Sequence, residues 1–410
     1  MKIDWRYSPL TEPLRKIKLN SNIAIKTQVA IIGAGPSGLI LSRYLALHNI
    51  ESIVIEDRSR EYVQSRVRAG MLETPTVELL DEIGIGERLH KEGFEHKGIY
   101  LQIPGKRHHI DFQELVGQTV WVYGQTEIQK DLHAACDANQ QQIYYEAKDV
   151  HFENIDSKNP IVHFTDSSGN PQKIECSAIA GCDGFWGVSR KAIPNVDADS
   201  FERVYPFSWL GIMANVKPSI DELIYAWHPN GFALNSMRSE KVSRLYLQVE
   251  PNDHIDNWSD ERCWDELSER LALPGWKLER GEITEKNILA MRSFVSNKMQ
   301  YGRLFLAGDA AHTVPPTGAK GLNLALNDVR LLGETLVKLL QQNDEKSASE
   351  YTSKALEKVW RATHFSWWFT SMMHTSGDPF DAQLQLSQIN HVIKSKYASA
   401  NLAENYVGIR

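Results

Sequence analysis

Cysteine is scarce: four occur in 410 residues, Cys136, Cys176, Cys182 and Cys263, and no two are spaced as C-x-x-C. That scarcity argues against a disulfide scaffold, a zinc or other metal site and a dithiol redox centre, and it fits a reducing cytoplasm. Each thiol reads as a small buried apolar residue. Long apolar runs are also missing, since none approaches the ~20 residues that span a bilayer, so no membrane partner is expected. Residues 1–25 carry Arg6, Arg15, Lys16 and Lys18 without a continuous apolar stretch. They read as an N-terminal arm, not as a secretory signal. A basic excess is absent too: 45 Lys and Arg stand against 52 Asp and Glu, a net charge of -7. That balance argues against a nucleic-acid partner.

What is present begins at residue 28. The short, apolar, β-branched run Gln28-Val29-Ala30-Ile31-Ile32 ends on Gly33-Ala34-Gly35-Pro36-Ser37-Gly38, and Leu39, Ile40, Leu41, Leu45 and Leu47 follow at helical spacing. Proline is well tolerated in a first helical turn. Ser52-Ile53-Val54-Ile55 then gives a second buried strand that ends at Glu56. Strand, glycine turn, helix and strand with a carboxylate about twenty residues on make the dinucleotide fingerprint. In it Gly33 permits the tight turn, Gly35 the approach of a pyrophosphate and Gly38 close helix packing. The amide of Ser37 lies in the first turn, where the helix N-terminus offers unpaired N–H groups to phosphates, and Glu56 can accept from ribose hydroxyls.

Further along, a helix is expected around residues 77–89, with strands at 98–103, 119–123 and 179–181. Alternating strands rich in aromatics occupy 201–249, and helices dominate from Leu322 onward. The fold class expected is α/β. A Rossmann-like FAD-binding domain (26–199) carries an inserted, mainly antiparallel β substrate domain (200–299), and the chain then returns (300–410) through a Gly-Asp motif to a helical C-terminal region.

FAD and NAD both fit the glycine loop, and a second motif decides. Gly308-Asp309 follows the strand Arg303-Leu304-Phe305-Leu306-Ala307, a pattern that supplies a carboxylate to a ribityl chain. Directly after it, Pro315-Pro316-Thr317-Gly318-Ala319-Lys320-Gly321-Leu322-Asn323 runs into a helix, aiming the N–H groups around Gly321, Leu322 and Asn323 at a reduced, anionic flavin ring. Together the two favour FAD.

These segments, with Cys182-Asp183-Gly184 and Ala403-Glu404-Asn405-Tyr406-Val407-Gly408, resemble the single-component flavoprotein aromatic hydroxylases from about residue 26 to 408. Phe201-Glu202-Arg203-Val204-Tyr205-Pro206-Phe207 and Ser236-x-Arg238 are similar to the branch that acts on 4-hydroxybenzoate. The resemblance implies hydroxylation of that acid to 3,4-dihydroxybenzoate with O2 and a reduced nicotinamide, through a flavin C4a-hydroperoxide. It implies that Ser236, Arg238 and Tyr246 hold the substrate carboxylate and that Pro316 lines the ring. Tyr225 and Tyr406 would relay the phenolic proton outward, towards His96 near the surface. A guanidinium fork suits a carboxylate, and removing the phenolic proton activates the ring.

The resemblance also places Arg68 and Gln125 at the flavin, and Arg66, Arg190 and Arg292 near the nicotinamide donor. Asp57 and Arg58 stand where NADPH-preferring relatives carry Arg and Gln, and Trp186 replaces a histidine. Asp57 would repel a 2′-phosphate and Arg58 attract one, so NADPH and NADH both remain open. With a single fingerprint, the donor is expected to bind transiently. The aromatic run at 365–369 is core or a homodimer contact, and the family is usually dimeric. Competing readings are a hydroxylase of an aminobenzoate or of 3-hydroxybenzoate, a non-oxygenating flavin reductase and a flavin-binding regulator.

Overall fold

The structure is a computed structural model that describes residues 24–66 and 70–408. Most of the N-terminal arm (1–23) and Arg68 lie outside the described residues.

At the centre is a six-stranded sheet in the order Gln300–Tyr301, Leu304–Leu306, Ala178–Gly181, Val29–Ile32, Ser52–Ile55, Ile143–Tyr144. Its members run parallel apart from the edge strand Gln300–Tyr301. Val29–Ile32 and Ser52–Ile55 are buried at every position, which is why they read as continuous apolar runs instead of alternating ones. The helix Pro36–Leu47 follows the glycine turn with Gly35 at its N-cap. Helix Lys320–Gln342 packs beside it, and Gly333 permits the approach, since a Cβ there would lie 2.5 Å from the Tyr44 ring.

An eight-stranded sheet forms the second layer, in the order His312–Thr313, Glu282–Ser296, Ser200–Asn215, Val242–Val249, Ala233–Ser239, Leu223–Ala226, Gly98–Ile103, Lys106–Asp111. It is antiparallel except where Leu223–Ala226 pairs with Gly98–Ile103. Two of its strands thus come from the segment before residue 200. The burial of Ile99, Leu101 and Ile110 explains this, because their apolar faces join the same cluster as Tyr225 and Trp209. Helix Asp260–Arg270 covers the other face with Cys263, Trp264 and Leu267. The helix expected around 77–89 is divided into Thr74–Glu82 and Glu87–Glu92, because the chain turns at Gly84 with φ +75°.

The C-terminal region is helical: Tyr351–Met373, Pro379–Lys394 and Lys396–Val407. Two indole N–H groups tie it to the substrate sheet, Trp209 Nε1 donating to His374 Nε2 at 2.6 Å and Trp227 Nε1 to Gln385 Oε1 at 2.8 Å. Trp209→Phe leaves the buried His374 nitrogen without a donor. It is therefore expected to lower unfolding free energy by about 1–3 kcal/mol, measured by denaturant titration of the flavin-loaded protein. In the aromatic run, Phe365 and Phe369 are core, while Trp367 is 39% exposed. No described helix is long and apolar enough to cross a membrane.

Candidate active site

Gly33 adopts φ +103°, and a Cβ there would lie 2.5 Å from the Cys182 carbonyl oxygen. A Cβ on Gly38 would collide with the Gly33 carbonyl oxygen, whereas one on Gly35 meets nothing within 4 Å. Two glycines are thus demanded by the protein's own backbone, and the third faces open space where a diphosphate can approach. Gly308, at φ +66°, lies so close to the loop that its Cβ would sit 2.8 Å from Ser37 Oγ. Two motifs distant in sequence therefore meet, with Asp309 exposed beside them.

Glu56 is 8% exposed. Its Oε2 accepts from Ala34 N at 2.7 Å and its Oε1 from Arg58 N at 2.9 Å. Burial, and then the neighbouring Asp57 carboxyl, push Glu56 up to about 7 against those two amides. Such a carboxylate gains from further donors, and sugar hydroxyls supply them. Asp183, packed against Gly33, accepts from Ser189 N at 2.8 Å, while its Oδ1 is buried without a hydrogen bond. Open space over Gly35, an acceptor at Glu56 and an orphaned oxygen at Asp183 fit the ADP half of FAD.

The loop after Asp309 makes a 3-10 turn, Pro316–Gly318, in which the Pro316 carbonyl accepts from Ala319 N at 2.9 Å. Ala319 is left-handed (φ 53°), and the helix starts at Lys320, two residues before the expected Leu322. Gly321 is open above its Cα and Leu322 is half-buried. Asn323 is engaged by protein on both sides of its amide. Its Oδ1 accepts from Glu73 N and Thr76 Oγ1, and its Nδ2 donates to the Met71 and Ala319 carbonyls. The N–H groups left without an intrahelical partner at this helix start are those of Lys320, Gly321 and Leu322. Lys320 is paired with Glu73 at 2.5 Å, both buried, and also donates to the Tyr406 carbonyl at 3.3 Å.

On the eight-stranded sheet, Ser236 pairs with Arg244 across the sheet, and Arg238 lies two residues further along strand Ala233–Ser239, where the pairing register shifts between Met237 and Ser239. Arg238 Nη2 donates to Thr126 Oγ1 at 3.1 Å. Gly124 makes room for the guanidinium, since a Cβ there would stand 2.5 Å from Nη2. Gln125 begins the helix Gln125–Ala138 between these two contacts. Tyr246 pairs with Leu234 across the sheet, and Arg244, two residues before it, holds its guanidinium 5.3 Å from the Tyr246 ring. Burial, and then repulsion by Arg244, lower Arg238. Arg244 Nη1 is itself buried without a hydrogen bond. Two guanidinium groups close enough to repel one another are chemically suited to an anion.

Tyr225 and Tyr406, each 1% exposed, meet hydroxyl to hydroxyl at 2.7 Å. Burial, followed by the partner hydroxyl, raises Tyr225 well above its ordinary value, and burial also raises Tyr406. Both therefore stay neutral around pH 7. His96 departs from the sequence expectation: it is not near the surface but 2% exposed, because it ends strand Phe94–His96 and faces Met237 Sδ at 3.2 Å. Burial holds its imidazole down at about 4.

The residues expected at the nicotinamide are divided between two places. Asp57 and Arg58 form an exposed ion pair at 3.5 Å, with Arg58 and Arg66 both over the Tyr62 ring. Trp186 is 78% exposed and Arg292 lies 5.8 Å from its ring. Arg190, by contrast, is buried and committed to the Ala310 and Phe185 carbonyls. Among the described residues no His, Cys, Asp or Glu group is arranged to hold a metal.

Sequence reasoning missed Arg244, Gly124, Thr126 and the Lys320–Glu73 pair. The alternation that places Tyr246 on the pocket face also places Arg244 there, so that residue had a signal. Gly124 and Thr126 had none, since their contact with Arg238 spans more than a hundred residues.

Residues 26–366 match the FAD binding domain family. The chain is 45% identical over 389 residues to p-hydroxybenzoate hydroxylase of Acinetobacter baylyi, covering 94% of this chain and 96% of that protein. A phenol 2-monooxygenase of Aspergillus fumigatus is 26% identical over 78% of this chain, which spans 56% of that longer protein. Among solved structures, p-nitrophenol 4-monooxygenase PnpA from Pseudomonas putida superposes with a TM-score of 0.79 at 17% identity, covering 95% of this chain and all of that one. That likeness speaks for the fold. By domain match, and by identity along nearly its whole length, the chain belongs to the p-hydroxybenzoate hydroxylase family of FAD-binding flavoproteins.

Proposed function

We propose that this chain, with FAD, O2 and a reduced nicotinamide, hydroxylates 4-hydroxybenzoate to 3,4-dihydroxybenzoate. One observation carries the reading: the Tyr225–Tyr406 hydroxyl pair shares one apolar cluster with Tyr246 and with Ala319 of the loop that follows the Gly-Asp turn, and Tyr246 is among the groups acting on the Arg238 guanidinium. The Arg238 fork and the Ser236 hydroxyl take the carboxylate, with Tyr246 beside them, and the Pro316 carbonyl lines the ring. Tyr225 accepts the phenolic proton while handing its own to Tyr406. Ionisation moves electron density onto the carbon next to the phenol oxygen, which is the carbon to be hydroxylated. When bound, the flavin supplies the reduction of O2 and the transfer of one oxygen atom. Burial of both tyrosines excludes water from that step. Incubation of flavin-loaded protein with 4-hydroxybenzoate, O2 and NADPH or NADH should give the dihydroxy acid, and its absence would sink the reading.

Gly124→Ala tests the carboxylate end without removing a charge. The added methyl displaces the guanidinium at an overpacking cost of about 1–3 kcal/mol. The dissociation constant for 4-hydroxybenzoate, read from flavin absorbance, should rise by about tenfold while FAD content stays constant.

The nicotinamide donor is a transient visitor, and its proposed contacts are two separate exposed groups, Asp57, Arg58 and Arg66 in one and Trp186 and Arg292 in the other. Steady-state comparison of NADPH with NADH decides between the opposed charges of Asp57 and Arg58. A homodimer is part of the same proposal, with the exposed patch of Phe201, Val204, Trp360 and Trp367 as its contact, tested by sedimentation. Four buried free thiols support a cytoplasmic location.

A further inference from the structure

Asp309 faces outward from the Gly-Asp turn, yet the backbone on either side of it is held from inside the fold. We propose that the buried pair of His312 and Asp328 is a positioning device for the cofactor, fixing the Gly308 peptide so that Asp309 meets the ribityl chain of FAD. This rests on the assignment of Asp309 to that chain and adds two residues behind it.

Asp328 lies on helix Lys320–Gln342 and His312 on the short strand His312–Thr313. Their side chains are 2% and 1% exposed. One oxygen, Asp328 Oδ2, accepts from Gly308 N at 2.9 Å and meets His312 Nε2 at 2.5 Å. Ala307 N still donates within the central sheet, to the Gly181 carbonyl at 3.0 Å. Gly308 N is the next amide along, buried where no further strand neighbour offers an acceptor, and a buried N–H requires one. Asp328 supplies it. Before the turn, the Tyr351 hydroxyl donates to the Leu306 carbonyl at 2.7 Å, and after it Arg190 Nη1 donates to the Ala310 carbonyl at 3.0 Å. Asp309 is thus presented from a backbone pinned on both sides, and the Asp328 contact is the one on the adjoining peptide.

A neutral acceptor would satisfy that amide. A carboxylate with its own imidazole is harder to bury, since both groups leave water, but charge-assisted bonds are shorter and stronger and hold their geometry more firmly. Burial works against a charged imidazole here, and Asp328 and then Asp309 outweigh it, so that His312 is raised above its ordinary value. The pair also joins two layers. His312 stands opposite Val295 at the edge of the eight-stranded sheet, whereas the helix that carries Asp328 packs beside Pro36–Leu47 on the central sheet. A shift of either layer therefore reaches the Gly308 peptide through a single oxygen atom.

The test is a double-mutant cycle on FAD affinity, read from flavin fluorescence as FAD is titrated into the full-length protein stripped of cofactor. His312→Leu should raise the dissociation constant by about tenfold or more, and Asp309→Ala should raise it as well. Because His312 acts through Asp309, the double variant should bind FAD as Asp309→Ala does, to within about twofold. His312→Gln, which keeps an N–H donor of similar reach, should recover most of the affinity lost in His312→Leu. Losses that add in the double variant, an unchanged affinity in His312→Leu, or a His312→Gln variant no better than His312→Leu each overturn the proposal. If His312→Leu does not fold, the same cycle is run with His312→Asn, whose amide is too short to reach Asp328. An unchanged affinity in Asp309→Ala takes the ribityl role from Asp309, and the proposal falls with it.

Discussion

Arg238→Ala should weaken 4-hydroxybenzoate binding by about 30-fold to several thousand-fold. The range follows from the about 2–5 kcal/mol lost when one partner of a buried, hydrogen-bonded charge pair is truncated, at 1.4 kcal/mol per tenfold. The lower part of the range is expected because Arg244 remains close by, with a buried Nη1 that makes no hydrogen bond and can offset part of the lost charge. FAD content should be unchanged, since Arg238 touches Thr126 and Gly124 on the substrate side while the diphosphate loop lies at Gly33 and Gly38. Titration by flavin absorbance measures the first quantity, and the ratio of flavin to protein absorbance the second. Loss of FAD in this variant would contradict the role given to Arg238. Arg238→Lys should recover only part of the affinity, because an ammonium lacks the planar pair of donors.

Tyr406→Phe should slow hydroxylation by about a hundredfold or more, the usual scale for removing a positioned proton-transfer group. Substrate affinity should move by only a few fold. The hydroxyl removed is bonded to Tyr225 at 2.7 Å, and the ring keeps its contacts with Phe112, Phe365 and Phe369. Losing that one hydrogen bond costs about 1 kcal/mol of stability, far too little to unfold the protein and mimic a catalytic defect. Rapid-quench measurement of ring hydroxylation, separated from nicotinamide oxidation, is the readout. Equal hydroxylation rates in the variant and the unaltered enzyme would remove Tyr406 from the relay.

The part of the molecule legible in the sequence is the part governed by local rules. Val29–Ile32, the glycine turn and Ser52–Ile55 announce themselves through β-branched runs and glycine spacing, and they form adjacent parallel strands. The alternation in Val242–Val249 gives its face, and with it Tyr246. What the chain did not disclose depends on distant packing. His96 carries no local mark of burial, and its depth comes from Met237 on another strand. The short pair Gly98–Ile103 and Lys106–Asp111 joins the substrate sheet through a parallel partner more than a hundred residues later, a pairing no nearby turn specifies. The helix after Pro316 starts early because Ala319 takes a left-handed conformation that nothing about alanine suggests.

The contact between Ser37 and Gly308 has a temporal meaning. The first loop emerges from the ribosome early, but its partner turn lies about 270 residues later, and the strand Leu304–Leu306 that carries it completes one flank of the central sheet. A nascent chain therefore has no whole flavin pocket until three quarters of its length has been made. Cofactor capture belongs to the end of synthesis, and a chain cut short before residue 308 should emerge colourless however well its first βαβ unit has folded.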